Sequence, residues 1–150
     1  MAVVIRANHK KLSFKWLRFP LTGIEALDHE HQVLLASLNV LKDLLAEGCD
    51  PRIVEERLRN LGSWFDRHFR DEEQRMGLSA YPEAEAHVEA HRQFLVGGLL
   101  QTTLDAEGQE GFDIDALFTW EAQHINQFDR PMAEFIHAQD GNGRGTYRNG

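Results

Sequence analysis

From Asp28 onward, apolar residues recur at helical spacing, with Leu34, Leu35, Leu38, Leu41 and Leu45 on one face. Asp28 is placed as the N-cap of this first helix and Gly48 as its close. Pro51 opens a second helix, in which Val54, Leu58, Leu61, Phe65, His68 and Glu72 fall at alternating steps of four and three. That stripe is apolar in its first half and polar in its second, so one helix face runs from leucine and phenylalanine straight into a histidine and a glutamate. The second helix is expected to end near Met76 and Gly77. Tyr81 and Pro82 start a third, with Ala84, His87, His91, Phe94 and Gly98 on one side. Gly108 and Gly111 bracket a loop. A fourth helix runs from about Asp113, with Ile114, Leu117, His124 and Phe128 inward.

Four helices joined by short links predict an all-α fold, an antiparallel up-down four-helix bundle with an extended N-terminal arm. Residues 1–27 hold no sustained period, contain Pro20 and Gly23, and read as the arm. Residues 28–140 form the bundle. Residues 141–150 are glycine-rich and are expected to be a flexible tail. The pattern shows no strand and no internal repeat.

The polar members of the stripes carry the chemistry. His87 and His91 are four apart and share a helix face, so they can converge on one ion. His68 and Glu72 repeat that spacing. His31 precedes Leu34 by three residues, and His124 follows Leu117 by seven, which puts both on apolar faces. Five imidazoles and a carboxylate therefore point into the core. Unsatisfied buried polar groups cost roughly 1–3 kcal/mol each, and a metal centre removes that conflict. Imidazole with carboxylate suits iron, and zinc or manganese stay open; without inward cysteines, thiolate sites are excluded. Asp129 would bring the set to five imidazoles and two carboxylates, too many for one ion and reasonable for two. It lies five residues after His124, about 140° away around a regular helix. Pro131, lacking an N–H, predicts a distortion near residues 127–131 that turns Asp129 inward.

The pattern resembles the hemerythrin family over nearly the whole chain. The resemblance rests on Trp16 and Gly23 ahead of Asp28-His29-Glu30-His31, then on His68-Phe69-Arg70-Asp71-Glu72-Glu73 with Met76. It continues through Tyr81-Pro82 and His87-Val88-Glu89-Ala90-His91 to His124-Ile125-Asn126-Gln127-Phe128-Asp129. It implies two iron ions with an oxo or hydroxo bridge. His87, His91 and His124 would hold one ion, and His31 and His68 the other, which keeps an open position. Glu72 and Asp129 would bridge them. The function it implies is reversible binding of dioxygen for carriage, storage or delivery, in a dry pocket lined by Leu34, Phe69, Trp120 and Ile125. An oxygen or redox sensor and a di-iron oxidase or peroxidase are the alternatives.

One position departs from the family pattern. An apolar residue, commonly leucine, follows the tryptophan of the last helix there; here it is Glu121, three residues before His124. A carboxylate at that point can take the open iron position, donate a proton in the pocket, or turn out to solvent.

Other residues are read more plainly. Glu30 and Glu73 adjoin ligand positions but are expected to face away into solvent. His9, His29 and His137 are taken as surface residues, and Trp16 and Trp64 as packing residues.

Composition narrows the partners. A length of 150 residues fits one domain. The formal net charge of −8 argues against nucleic acid and anionic membrane surfaces. No apolar run approaches the roughly 20 residues needed to span a bilayer, and the first residues lack the apolar core of a secretory signal. The one cysteine, Cys49, has no internal partner and is read as a free thiol. These features point to the cytoplasm. They identify no protein partner and do not require an enzyme.

Overall fold

The computed structural model describes residues 4–5, 18–97, 102–104 and 110–147. Four helical rods make the architecture: α1 over Glu25–Ala46, α2 over Pro51–Ser79, α3 over Ala84–Gly97, and a last rod in three parts. The last rod is α4 over Ile114–His124, a π-helical turn over Ile125–Asp129, and α5 over Arg130–Tyr147. Links of a few residues join α1 to α2 and α2 to α3, which forces each helix to run back along its predecessor. The fold is the expected all-α bundle.

Local chemistry sets the helix ends. Pro51 opens α2, and the Asp50 carboxylate accepts from the Arg52 N–H at 2.9 Å. The helix runs past Met76 and Gly77 to Ser79 and stops at Ala80, whose φ of 54° is left-handed. Asp113 caps α4, accepting from the N–H groups of Asp115 and Ala116. The first helix begins at Glu25, three residues ahead of the cap expected at Asp28. Asp28 does accept backbone N–H groups, but from the loop behind it. Its Oδ1 binds the N–H and hydroxyl of Thr22, both at 2.8 Å, and its Oδ2 binds the Gly23 N–H at 3.1 Å. Gly23 has a φ of +87°, and a Cβ there would meet His137 Nε2 at 3.0 Å. That position therefore requires glycine, and it brings the end of the arm against α5.

The arm contributes Phe19 to the core, stacked on Phe118 with ring centroids 4.9 Å apart. Three strands of two or three residues add a feature that the hydrophobic pattern did not show. Thr102–Leu104 pairs antiparallel with Glu110–Phe112, which pairs parallel with Val4–Ile5 on its other edge. Segments this short hold no readable alternation. Helical backbone also continues through the glycine-rich stretch after Gly141 to Tyr147, because each residue added to a formed helix gains a hydrogen bond. Trp16, His9 and Gly108 lie outside the described residues.

The interior is layered. A large apolar cluster occupies one end and includes Leu34, Leu38, Phe65, Phe69, Phe94 and Ile125. A small one, Leu27, Met76 and Met132, occupies the other. Along α1 the buried positions read Leu27, His31, Leu34, and along α2 they read Phe65, His68, Phe69, Glu72, Met76. A belt of polar side chains is thus enclosed between two apolar layers.

Candidate metal centre

Helical period delivers most of the belt. His31 from α1, His68 and Glu72 from α2, His87 and His91 from α3, and His124 from α4 are all buried. Asp129 arrives by a different route. The Arg130 N–H donates to the Ile125 carbonyl, an i→i+5 bond, and a π turn brings positions five apart onto one face. The distortion expected near residues 127–131 is this turn, over Ile125–Asp129. Its result is an Asp129 with no exposed surface.

The donors form two groups. Glu72, His87, His91, His124 and Asp129 make one; His31, His68, Glu121 and Asp129 make the other. Within each, the ligand atoms all lie within 4.8 Å of one another. Asp129 belongs to both. Its Oδ1 lies 3.0 Å from His87 Nε2 and 3.2 Å from His124 Nε2, and its Oδ2 lies 3.3 Å from His31 Nε2. Glu72 Oε1 lies 3.1 Å from His91 Nε2 and 3.7 Å from both His87 Nε2 and His68 Nε2, so it faces the three-imidazole group and borders the second.

Hydrogen bonding alone leaves this belt unsatisfied. His124 Nε2 lies 3.2 Å from His87 Nε2 and 3.1 Å from His91 Nε2, and a neutral imidazole nitrogen has only one proton or one lone pair to offer. Both oxygens of Glu72, Asp129 and Glu121 are buried, and none accepts a hydrogen bond of proper geometry. Two imidazole nitrogens on one metal ion at adjacent positions stand about 3 Å apart, given bonds of roughly 2.0–2.1 Å. The spacing and the orphaned oxygens therefore fit metal ions, and a nitrogen and oxygen donor set without sulfur suits iron, zinc or manganese.

Burial tunes the groups for that use. It drives the His91 imidazole down to about 2, helped by His87 and His124 beside it, and lowers His68 and His124 as well. These three rings stay neutral, with a lone pair free. Burial also acts upward on Asp129, but the imidazoles of His124, His31 and His87 outweigh it and hold the carboxyl well below the ordinary range. Glu72 and Glu121 are pushed well above it, by burial first and by the Asp129 charge second.

Two carboxylates correct the sequence reading. Glu30 was expected in solvent, yet its Oε2 accepts from His68 Nδ1 at 2.6 Å. Glu73 Oε1 likewise accepts from His91 Nδ1 at 3.2 Å. Each fixes the tautomer of its histidine and turns Nε2 inward. Burial works upward on Glu30, but the His68 bond prevails and keeps its carboxyl low, hence ionised. The outward option for Glu121 is also excluded, since the residue has no exposed surface. It sits one turn before His124 on α4, and its Oε1 lies 3.6 Å from His31 Nε2.

Aromatic rings brace the imidazoles. Trp64 stacks on His68 at 4.7 Å, so this packing residue touches the belt. Phe69 stacks on His91 at 3.9 Å, and Trp120 on His124 at 4.7 Å. Phe69 and Trp120 thus lean on the three-imidazole group, and Phe69 also borders His68, with ring centroids 5.9 Å apart. Leu34 and Ile125 are fully buried. His29 and His137 are exposed, as expected. Sequence reasoning did not single out Phe19, whose ring meets His31 edge-on at 6.3 Å.

A four-helix bundle with a buried belt of imidazole and carboxylate, divided into two donor groups about a shared aspartate, defines a metal-binding protein of the hemerythrin type. Residues 22–136 match the hemerythrin HHE cation-binding domain, and the chain belongs to that family. No curated protein and no solved structure matches it.

Proposed function

We propose that the belt holds two iron ions and that the chain binds dioxygen reversibly on the His31–His68 side. The observation that carries this reading is the asymmetry of the donor groups. Three imidazoles serve one group and two the other, so the second has fewer protein donors. A groove of about 340 Å³ between the arm and α1, lined by Phe19, Pro20, Leu21 and Gln32, reaches His31 on that same side. Two ferrous ions with an oxo or hydroxo bridge would supply dioxygen with two electrons and would recover them on release.

The side chains prepare the site for that chemistry. His87, His91 and His124 would hold one ion, and His31 and His68 the other. Asp129, with one oxygen toward each group, would bridge them, and Glu72 would join it from α2. Glu30 and Glu73 keep His68 and His91 in the ligating tautomer. Leu34, Phe69 and Ile125, all buried, exclude water beside the belt. Carriage, storage or delivery of oxygen are the uses that follow. The net charge of −8 and the single cysteine support a cytoplasmic protein that does not engage nucleic acid. No helix among the described residues is long and apolar enough to cross a membrane.

One observation favours a second reading, as an oxidase, peroxidase or redox sensor: the carboxyl of Glu121 lies among the donors. The experiment is anaerobic reduction of the iron-loaded protein followed by oxygen, watching for a visible charge-transfer band. A band that forms, persists and vanishes on oxygen removal supports carriage. Immediate passage to the diferric state supports the second reading. A protein that takes up no iron refutes both.

A further inference from the structure

We propose that Glu121 is a terminal ligand of the ion held by His31 and His68, so that the chain itself supplies the donor which closes that ion's free position. The inference rests on the two-ion reading above and adds what governs access to it.

The side chain has no exposed surface, and neither of its oxygens accepts a hydrogen bond. A buried carboxyl normally finds a donor from the protein, and this one instead lies beside another ligand atom, His31 Nε2, 3.6 Å from Oε1. Glu121 falls within one donor group with His31, His68 and Asp129, whereas Glu72 falls within the other. Each group thus counts a glutamate and a share of Asp129, and they differ in the third imidazole, which the His31–His68 group lacks. Helical spacing explains the division. Glu121 and His124 are three apart on α4 and share its inner face, so one side chain reaches each group.

A fixed carboxylate in that place makes entry at the His31–His68 ion a displacement. Dioxygen or a small anion must move Glu121 aside before it can bind. The added negative charge would also favour the more highly charged, oxidised ions.

Cobalt(II) and azide test this without reliance on oxygen chemistry. The full chain would be loaded with cobalt(II) as wild type, Glu121→Gln and Glu121→Leu. Its ligand-field absorption would be recorded and azide titrated. The expected result is two cobalt ions per chain throughout, stronger absorption in Glu121→Leu from a lower coordination number, and azide bound at least about tenfold more tightly there than by wild type. Glu121→Gln, nearly the same shape and neutral, is expected to fall between them and carries the test alone should the leucine variant fail to fold. Two ions per chain with the same spectrum and azide affinity in every variant would overturn the Glu121 assignment and leave the two-ion reading standing. Fewer than two ions in the wild type would overturn both.

Discussion

Replacing Glu121 by leucine is expected to raise the thermal stability of the metal-free protein. The Glu121 carboxyl is fully buried, neither oxygen accepts a hydrogen bond from the protein, and burial followed by the Asp129 charge pushes it upward, so without metal it would have no partner. That shift favours its neutral form, whose cost is that of an unsatisfied polar group, about 1–3 kcal/mol. Leucine has similar bulk and nothing to satisfy. For a domain of this length each kcal/mol moves Tm by about 2–4 °C, so the gain is about 2–12 °C. With metal bound the carboxyl has its partner, and the variant loses a donor. A tenfold weaker affinity removes about 1.4 kcal/mol of ligand-derived stability, so the advantage shrinks or reverses. Thermal unfolding followed by circular dichroism, on chelated and on zinc-reloaded protein, reads both states. A leucine variant less stable than wild type when metal-free, or equally advantaged in both states, refutes the reasoning.

Three further outcomes follow from the geometry. Glu30→Gln and Glu73→Gln leave every inward donor in place but loosen His68 or His91, so metal affinity is expected to fall by about 10–100-fold with the same stoichiometry; competition with a chelator of known affinity measures this, and unchanged affinity counts against the orienting role. Phe65→Ala, in the apolar layer beside the belt and fully buried, is expected to cost about 3–5 kcal/mol in urea unfolding, and a loss under 1 kcal/mol would contradict the packing described. Deleting the exposed Gln127 leaves the aspartate four residues after His124, about 40° around a regular helix. Such a protein should lose its π turn and still take up metal, and failure to load would show that the five-residue spacing itself is required.

Much of the belt could be read along the chain because helical period fixes direction. His31, His68, Glu72, His87, His91 and His124 each fall on a stripe of leucine and phenylalanine, and a stripe buries whatever it contains. Asp129 was reachable in part: its five-residue offset with Pro131 behind it signalled a distortion, though the π turn begins at Ile125. The short strands of the sheet could not be read, since two or three residues show no alternation.

The sequence by itself thus determined the helices, their buried faces and the residue types within them, because those depend on spacing within one element. The tertiary structure decided what lies on the flanks. Glu30 precedes His31 by one residue and Glu73 follows Glu72 by one, so helical period puts both off the buried face; each is a ligand's partner only because the neighbouring helix brings His68 or His91 against that flank. Glu121 is the same kind of case. Its place one turn before His124 put it on nearly the same face, and the position of α1, which brings His31 to 3.6 Å from its carboxyl, decided what it meets there.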